Sequence, residues 1–394
     1  MSRIWVTSDW HLADGSWKKR PEIYGDALQS LFLLAAKVGK GDVILAAGDL
    51  FDQKTPSSET VNAAYQVIST MVERAGAKII FIQGQHEKAK TPWLNLMPNT
   101  LHADVETHGI LANVNGVKVR VYGIDWCLPS QLQEKLDNAG RAREAVEQQQ
   151  GEGYDILMLH QTCNAVRAGT GDERADTLTF LDRRYGLCEL RDGMLPQGFD
   201  AVIVGDTHYH TEFQLQDKGG AFYTCLSPGS FCQLAIDEIN TGKCFKIEFD
   251  VTPHSLDTTI TSEELYVRPY RCVKLMNPVA WDNEIREWLK EPEVSHFEKP
   301  LVRFDVYESD ADRWTQLQLA CQGKCFPFLS VEKKDAEGKP ADVTAEVQSL
   351  EELVTVAIQE AEATPKAKEM LIDLLAGASA DEVLNAYYTK MVKK

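Results

Sequence analysis

The sequence predicts an α/β fold, and two observations predict it. Short β-branched and apolar runs recur from Arg3 to about Asp250, at Ile4–Val6, Val43–Ala46, Ile79–Ile82, Val117–Tyr122, Ile156–Leu159 and Ala201–Val204. Between the early runs lie stripes at helical spacing. One is Ala27, Leu28, Leu31, Leu34, Ala35 and Val38, stopped by Gly39; the next is Val61, Ala64, Tyr65, Ile68, Met71 and Val72. Strands alternating with helices are βαβ units, which build a largely parallel sheet flanked by helices.

Two further zones follow. Residues 256–335 read as strand (Leu265–Met276), helix (Ala280–Leu289), strand (Leu301–Tyr307), helix (Ala311–Ala320) and strand (Pro327–Val331), a small α+β module. Beyond the polar stretch KKDAEGKPADVT, Ser349-Leu350-Glu351-Glu352 is a capping box opening an amphipathic helix with Leu353, Val354, Ala357, Ile358 and Ala361. Thr364-Pro365 opens a second helix closed by Gly377, and Ser379 to Glu382 caps a last short one. The expected organisation is a core over 1–255, an α+β capping domain over 256–335, and a linker with C-terminal helices over 336–394.

Composition narrows the class. With 44% hydrophobic and 25% charged residues, the 394-residue chain is an ordinary globular one. It has no apolar run near the ~18 residues of a membrane span. The start, MSRIWVTSDWHL, enters a strand with no basic or apolar leader, so no secretion signal is expected. Nine cysteines without a C-x-x-C pair argue against a zinc module or disulfide framework and favour a reducing cytoplasm. Cys321 and Cys325 lack partner ligands and read as buried thiols. A net charge of −18 taken alone counts against a nucleic-acid partner. Its distribution matters more. Asp9, Asp49, Asp52, Glu87 and Asp206, with Asp155 as a sixth, are expected in or near one site, and eight acids lie between Asp335 and Glu362.

The chemistry lies at the strand ends. Asp9 and His11 follow the first apolar run; Gly48-Asp49-Leu50-Phe51-Asp52 follows the second; Gly84-Gln85-His86-Glu87 follows the third. His160 ends the run at Ile156, and Gly205-Asp206-Thr207-His208 follows the run at Ala201. In an α/β sheet the carboxyl ends of the strands meet at one crevice. A lone D-x-H or G-D is more often a turn or cap than a ligand pair, but five such ends in order are a pattern. Carboxylate, imidazole and amide without thiolate suit Mn²⁺, Fe²⁺ or Mg²⁺, and two such ions activate water for phosphoryl displacement.

The motifs D-x-H, G-D-x-x-D, G-N-H-[DE], H and G-H-x-H, met here in this order from Asp9 to His208, resemble those of the calcineurin-like metallophosphoesterases. Within that superfamily the chain looks closest to the SbcD-type DNA repair and recombination exonuclease subunits. The pointers are G-D-L-F with Pro56-Ser57, His160-Gln161, and Ser227-Pro228-Gly229-Ser230. The resemblance implies layered β-sheets flanked by helices, and two divalent metal ions, Mn²⁺ first and Mg²⁺ or Fe²⁺ as alternatives. Asp9, His11, Asp49 and His208 would hold one ion. Asp49, Gln85, His160 and Asp206 would hold the other, with Asp49 bridging and His86 as the catalytic histidine. Gln85 stands where the family usually has Asn, and Asp206 where the first His of G-H-x-H is expected. Asp52 stands where His is common in the SbcD type. A shifted register would pair His208 with His210.

Around the motifs, Trp10, Trp17, Lys18, Lys19, Arg20, Lys54, Lys88 and Lys90 are candidate DNA contacts, basic groups for phosphates and aromatics for unpaired bases. Thr91–Met97 and the helix after Pro56 offer a homodimer interface by the same resemblance. The C-terminal helices would dock an SbcC-like SMC/ABC ATPase; the chain has no G-x-x-x-x-G-K-[ST] loop of its own. The expected function is metal-dependent DNA cleavage, exonucleolytic or single-strand endonucleolytic. The alternatives are a small-molecule phosphatase or cyclic-nucleotide phosphodiesterase, and a DNA-end-binding scaffold with weakened catalysis.

Overall fold

The computed structural model describes residues 2–13, 21–87, 92–103, 109–163, 190–234, 241–252, 255–268, 270–274, 300–307, 321 and 325–332. In chain order the elements are β1 (Ile4–Thr7), α1 (Pro21–Lys37), β2 (Val43–Ala47), α2 (Ser58–Ala75), β3 (Lys78–Ile82) and a 3₁₀ turn at Trp93–Leu96. Then come β4 (Thr100–His102), β5 (Ile110–Val114), β6 (Val117–Ile124), α3 (Pro129–Gln150), β7 (Tyr154–His160) and β8 (Ala201–Gly205). β9 (Thr211–Gln216), β10 (Phe222–Ser227), β11 (Lys243–Val251), β12 (Leu256–Glu264), β13 (Tyr270–Lys274), β14 (Leu301–Tyr307) and β15 (Phe326–Glu332) complete the chain.

Two six-stranded sheets form the core, ordered β12-β11-β1-β2-β3-β4 and β5-β6-β7-β8-β10-β9. Their central strands are parallel: β1 on β2, β2 on β3, β6 on β7 and β7 on β8. Antiparallel strands close three of the four edges, and at the fourth β4 continues the first sheet in parallel. Strand alternation sends one set of side chains inward between the sheets. Ile4, Val6, Val43, Leu45, Ile80 and Ile82 meet Val119, Val121, Ile156, Met158, Ala201 and Ile203 in one buried cluster. The opposite face of the first sheet packs on α1 and α2 through Trp5, Ile44, Leu31, Leu34, Ile68 and Met71. The opposite face of the second packs on α3 through Tyr122, Leu157, Leu132, Leu136 and Ala139. The layers are thus helices, sheet, sheet, helix, the expected layered sheets flanked by helices.

Local chemistry sets the element ends. Ser57 caps α2, its hydroxyl accepting from the Thr60 amide at 3.2 Å, and Gly76 closes the helix at φ 60°, its N–H reaching the Val72 carbonyl. α1 ends at Lys37 as its buried stripe of Ala27, Leu31, Leu34 and Ala35 runs out toward Gly39.

Contacts divide the chain into two units, Met1–Tyr270 with Pro292–Leu301, and Arg271–Glu291 with Val302–Lys394. The second contains the three-stranded sheet β13-β14-β15. Cys321 and Cys325 are buried thiols, as expected. Of the strand expected over Leu265–Met276, Tyr270–Lys274 is strand and Leu265–Arg268 is not. Leu265 is instead buried against the helices of the first sheet, and Arg268 pairs with Asp26 of α1. Nine residues of β12, at the head of the expected capping zone, pair with β11 in the first sheet. The helices expected over Ala280–Leu289, within Ala311–Ala320 and beyond residue 336 lie outside the described residues.

Candidate metal centre

The carboxyl ends of β1, β2 and β3 from one sheet and of β7 and β8 from the other converge. The loops after β1 and β2 are zipped together: Asp9 N donates to Gly48 O at 3.0 Å, His11 N to Asp49 O at 2.9 Å and Leu12 N to Leu50 O at 3.0 Å. Across the sheets, the Asp206 amide donates to Asp9 Oδ2 at 3.2 Å. Seven non-glycine residues among those described have positive φ. Asn99 and Asn115 sit in turns, where Asn tolerates this conformation. The other five are Asp9, His11, Asp49, Asp206 and His208. Left-handed backbone at a non-glycine residue costs of order 1–3 kcal/mol and persists only where its surroundings enforce it. Here it turns five chemistry-bearing side chains into one space.

Within that space, Asp9, His11 and His208 present ligand atoms within 4.8 Å of one another, as do Asp9, Asp49 and His160. His11 Nε2 lies 3.1 Å from His208 Nε2 and 3.8 Å from both Asp9 Oδ1 and Asp49 Oδ2. His160 Nε2 lies 3.2 Å from Asp49 Oδ2, 3.8 Å from Asp206 Oδ1 and 3.9 Å from Asp9 Oδ1. Asp9 is therefore common to both groups, and Asp49 Oδ2 lies within 3.8 Å of a histidine of each. Gln85 donates through Nε2 to Asp206 Oδ1 at 2.6 Å, and Thr162 Oγ1 donates to Asp206 Oδ2 at 2.6 Å. His86 rests at the rim, its side chain 39% exposed, with Nε2 3.9 Å from Asp49 Oδ2.

The inner atoms have no hydrogen-bond partner. Asp9 Oδ1, Asp49 Oδ2, Gln85 Oε1 and His160 Nε2 are all buried and all unsatisfied. An unsatisfied buried polar atom costs about 1–3 kcal/mol, more if charged; four pointing into one space fit a cation. Outer partners orient the rings. Ala47 O accepts from His160 Nδ1 at 2.6 Å, which leaves Nε2 as the inward atom. Asp52 Oδ1 accepts from His11 Nδ1 at 3.0 Å, the carboxylate–histidine arrangement usual behind metal-bound imidazoles. Glu87 Oε2 accepts from the Phe51 amide at 3.0 Å, fastening the loop after β2 to that after β3.

Electrostatics follow from this crowding. Burial opposes charge on Asp49, but His160, then His11 and His86, hold its carboxyl far below the usual range. Burial also opposes charge on His160; Asp49, Asp9 and Asp206 outweigh it and raise the imidazole well above 6.5. Burial and the neighbouring Asp49 push Glu87 up to about 8. The glycines are explained by space. A Cβ on Gly48 would lie 2.4 Å from His160 Nδ1, and one on Gly205 2.2 Å from Ala47 O. Only Gly48 of the three preceding Asp49, Gln85 and Asp206 has positive φ.

The structure brings Asp9, His11, Asp49, Gln85, His86, His160, Asp206 and His208 together. His210 faces elsewhere: Nδ1 donates to Pro228 O at 2.8 Å and Nε2 accepts from Ser262 at 2.7 Å, so the shifted register is not formed. Trp10 is core, fully buried and stacked on Phe231 at 5.2 Å, and cannot stack on a base. Asp155 begins β7, about 16 Å along the strand from His160. It is ion-paired there with Arg120 at 2.5 Å and Arg143 at 3.1 Å, and belongs to no metal site. Lys54 is exposed, its carbonyl accepting from Trp93 Nε1 at 3.1 Å. Trp17, Lys18, Lys19, Arg20, Lys88 and Lys90 lie outside the described residues. Sequence reasoning missed Thr162 and the orienting task of Asp52; for Asp52 the signal was its place three residues after Asp49.

The chain is similar to several known proteins. The calcineurin-like phosphoesterase family profile matches residues 2–210. A protein of Staphylococcus saprophyticus, named as a subunit of the nuclease SbcCD, is 23% identical over 76% of this chain and 77% of its own length. Its namesake in Escherichia coli strain K12 is 30% identical over 23% of this chain and 22% of its own. The structure of vacuolar protein sorting 29 from Cryptosporidium parvum aligns at a TM-score of 0.24 with 12% identity, covering 67% of this chain and 98% of that one. Among the described residues no helix is long and apolar enough to cross a membrane. Phosphoesterases of this kind work with divalent metal ions, and the unsatisfied atoms here fit that chemistry. With the profile spanning more than half of its length, the chain belongs to the calcineurin-like phosphoesterase family.

Proposed function

We propose that the protein is a two-metal phosphodiesterase acting on DNA, the nuclease subunit of an SbcCD-like complex. The observation that carries the hydrolase reading is the set of four buried, unsatisfied atoms, Asp9 Oδ1, Asp49 Oδ2, Gln85 Oε1 and His160 Nε2, beside two ligand groups that share Asp9, with Asp49 Oδ2 within 3.8 Å of a histidine of each. Asp9, His11, Asp49 and His208 would hold one divalent ion, Asp49, Gln85, His160 and Asp206 the other, with Mn²⁺ the expected metal. Bound there, the ions would supply an activated water and offset charge on the phosphoryl oxygens. The substrate side is supported by the two relatives named as nuclease subunits.

The chain's own residues divide the remaining work. His86 donates its Nδ1 proton to the Asp52 carbonyl at 3.2 Å, which leaves Nε2 on the side of the centre, 3.9 Å from Asp49 Oδ2. As the imidazolium, which carries a second proton on Nε2, a side chain so held and so exposed can protonate a leaving 3′ oxygen or hydrogen-bond a phosphoryl oxygen. Asp52 holds His11 in one tautomer, and Ala47 does the same for His160. Lys18, Lys19, Arg20, Lys54, Lys88 and Lys90 would contact phosphates, and the terminal helices would dock the ATPase partner.

The test is turnover by purified protein with Mn²⁺, offered linear duplex, single-stranded circle and bis-p-nitrophenyl phosphate. Degradation of DNA that is lost in His86→Ala supports the proposal. Turnover of the small ester alone would make it a phosphatase, and retention of DNA ends without turnover a scaffold.

A further inference from the structure

The loop carrying Gln85 and His86 is fastened to the opposite sheet by residues in none of the motifs. Gln83, 5% exposed, leads into that loop from β3. Its amide donates to Asp125 Oδ1 at 2.8 Å, its side-chain Nε2 donates to Asp125 Oδ2 at 3.3 Å, and its carbonyl accepts from the Trp126 amide at 2.9 Å. Asp125 follows β6, in the second sheet. His102, ending β4 at the edge of the first sheet, places Nε2 2.8 Å from Asp125 Oδ1 and 3.1 Å from Oδ2. Its ring stacks on Phe81 of β3 at 5.2 Å and 26°. One carboxylate of the second sheet thus receives three donors from the ends of two strands of the first.

We propose that Asp125 and His102 are positioning residues of the phosphoesterase centre, holding Gln83 and through it the Gln85–His86 segment in register with the second sheet. Apolar packing between the sheets sets their separation but has no direction along a strand. Hydrogen bonds to one carboxylate do have direction, and this one meets the chain two residues before Gln85. Gln85 must place its amide beside Asp206, which the second sheet supplies. Its side chain carries one more rotatable bond than Asn, so amide placement depends more on where its backbone is anchored. The far end of the segment is pinned separately, by the His86 amide on Asp49 Oδ1 at 2.9 Å and by Glu87 on Phe51. Asp125 supplies the near end.

The inference rests on the two-metal reading, and two measurements keep the two apart. In Asp125→Asn a single acceptor oxygen replaces two for three donors, and in His102→Ala one donor is lost; His102→Gln restores a donor. Calorimetric titration of each variant with Mn²⁺ is expected to show the weaker binding step reduced about tenfold in Asp125→Asn and His102→Ala and recovered in His102→Gln. Hydrogen exchange of the peptide spanning Gln83–Glu87, measured without metal, is expected to quicken about tenfold in the first two and recover in the third. Unchanged exchange in folded Asp125→Asn overturns the anchor. So does a normal Mn²⁺ isotherm beside quickened exchange, because the anchor then positions nothing. Absence of Mn²⁺ binding in the unaltered protein, with quickened exchange in the variants, would sink the metal reading and leave the anchor standing as a structural one.

Discussion

Replacing Gly84 by alanine probes the centre without removing any of its polar groups. A Cβ on Gly84 would stand 2.0 Å from Asp49 Oδ1, 2.4 Å from its Cγ and 2.6 Å from its backbone nitrogen. Cβ contacts under 3.0 Å do not persist, so the Asp49 carboxylate and the Gln85 loop must part by about 1 Å. Rotating the Asp49 side chain cannot resolve this, because the backbone nitrogen is also too close. A 1 Å misplacement of reacting groups costs on the order of a hundredfold in rate, and overpacking costs about 1–3 kcal/mol in stability. The assay is hydrolysis of bis-p-nitrophenyl phosphate with Mn²⁺, alongside a thermal melt. Gly25→Ala is the control: it lies in α1 with nothing within 4 Å of its Cβ position. That change should gain about 0.5–1 kcal/mol and leave turnover alone. A Gly84→Ala protein that turns over within about threefold of the original would show that the Asp49–Gly84 contact does not set the geometry of the centre.

Three more outcomes are expected. Asp155→Asn leaves Arg120, buried with Nη1 on Gly151 O at 2.8 Å, without its carboxylate. It should cost about 3–5 kcal/mol in denaturant melts, with turnover per folded molecule unchanged because the pair is remote from the centre. Asp52→Ala removes the partner of His11 Nδ1 and should weaken Mn²⁺ binding about 10- to 100-fold by calorimetry; equal affinity would show His11 needs no orienting. Glu263 joins Lys37 and Lys246, each at 3.1 Å, and these lysines lower its carboxyl below the usual range. Its contribution is present above about pH 4.5 and lost as pH falls through the lowered value. Since the group is a quarter exposed, Glu263→Gln should cost only about 0.5 kcal/mol at pH 7, and the difference should vanish in acid or high salt.

What the sequence makes legible depends on burial. β1, β2, β3, β7 and β8 are covered on both faces, so Val43–Ala47 and Ala201–Gly205 stand out as unbroken apolar runs with the proposed ligands Asp49 and Asp206 within two residues of their ends. β12 is an exposed edge strand, and its Leu256–Glu264 carries no apolar signal; hydrogen bonds to β11, not burial, make it a strand. α3 hides for a similar reason: of its 22 residues only Leu132, Leu136, Ala139, Gly140 and Val146 are buried, under a polar surface rich in Gln and Glu. Burial also separates His208 from His210, two residues apart and both plausible on spacing, since only the fold shows His210 closed off by Pro228 and Ser262. Asp125 and His102 belong to no local pattern because their meeting depends on how the two sheets face each other.

The proposed ligands are split between the sheets: Asp9, His11, Asp49 and Gln85 from the first, His160, Asp206 and His208 from the second. Two of the cross-sheet contacts, Asp206 N to Asp9 and His11 to His208, each span 197 residues of chain. As the chain is synthesised from its N-terminus, no piece ending before His208 holds the full set of proposed ligands. The proposed centre is therefore completed only after β8 has been made, and β11 and β12 of the first sheet follow later still. A product ending before His208 would lack that proposed ligand and the ring that faces His11 across the sheets.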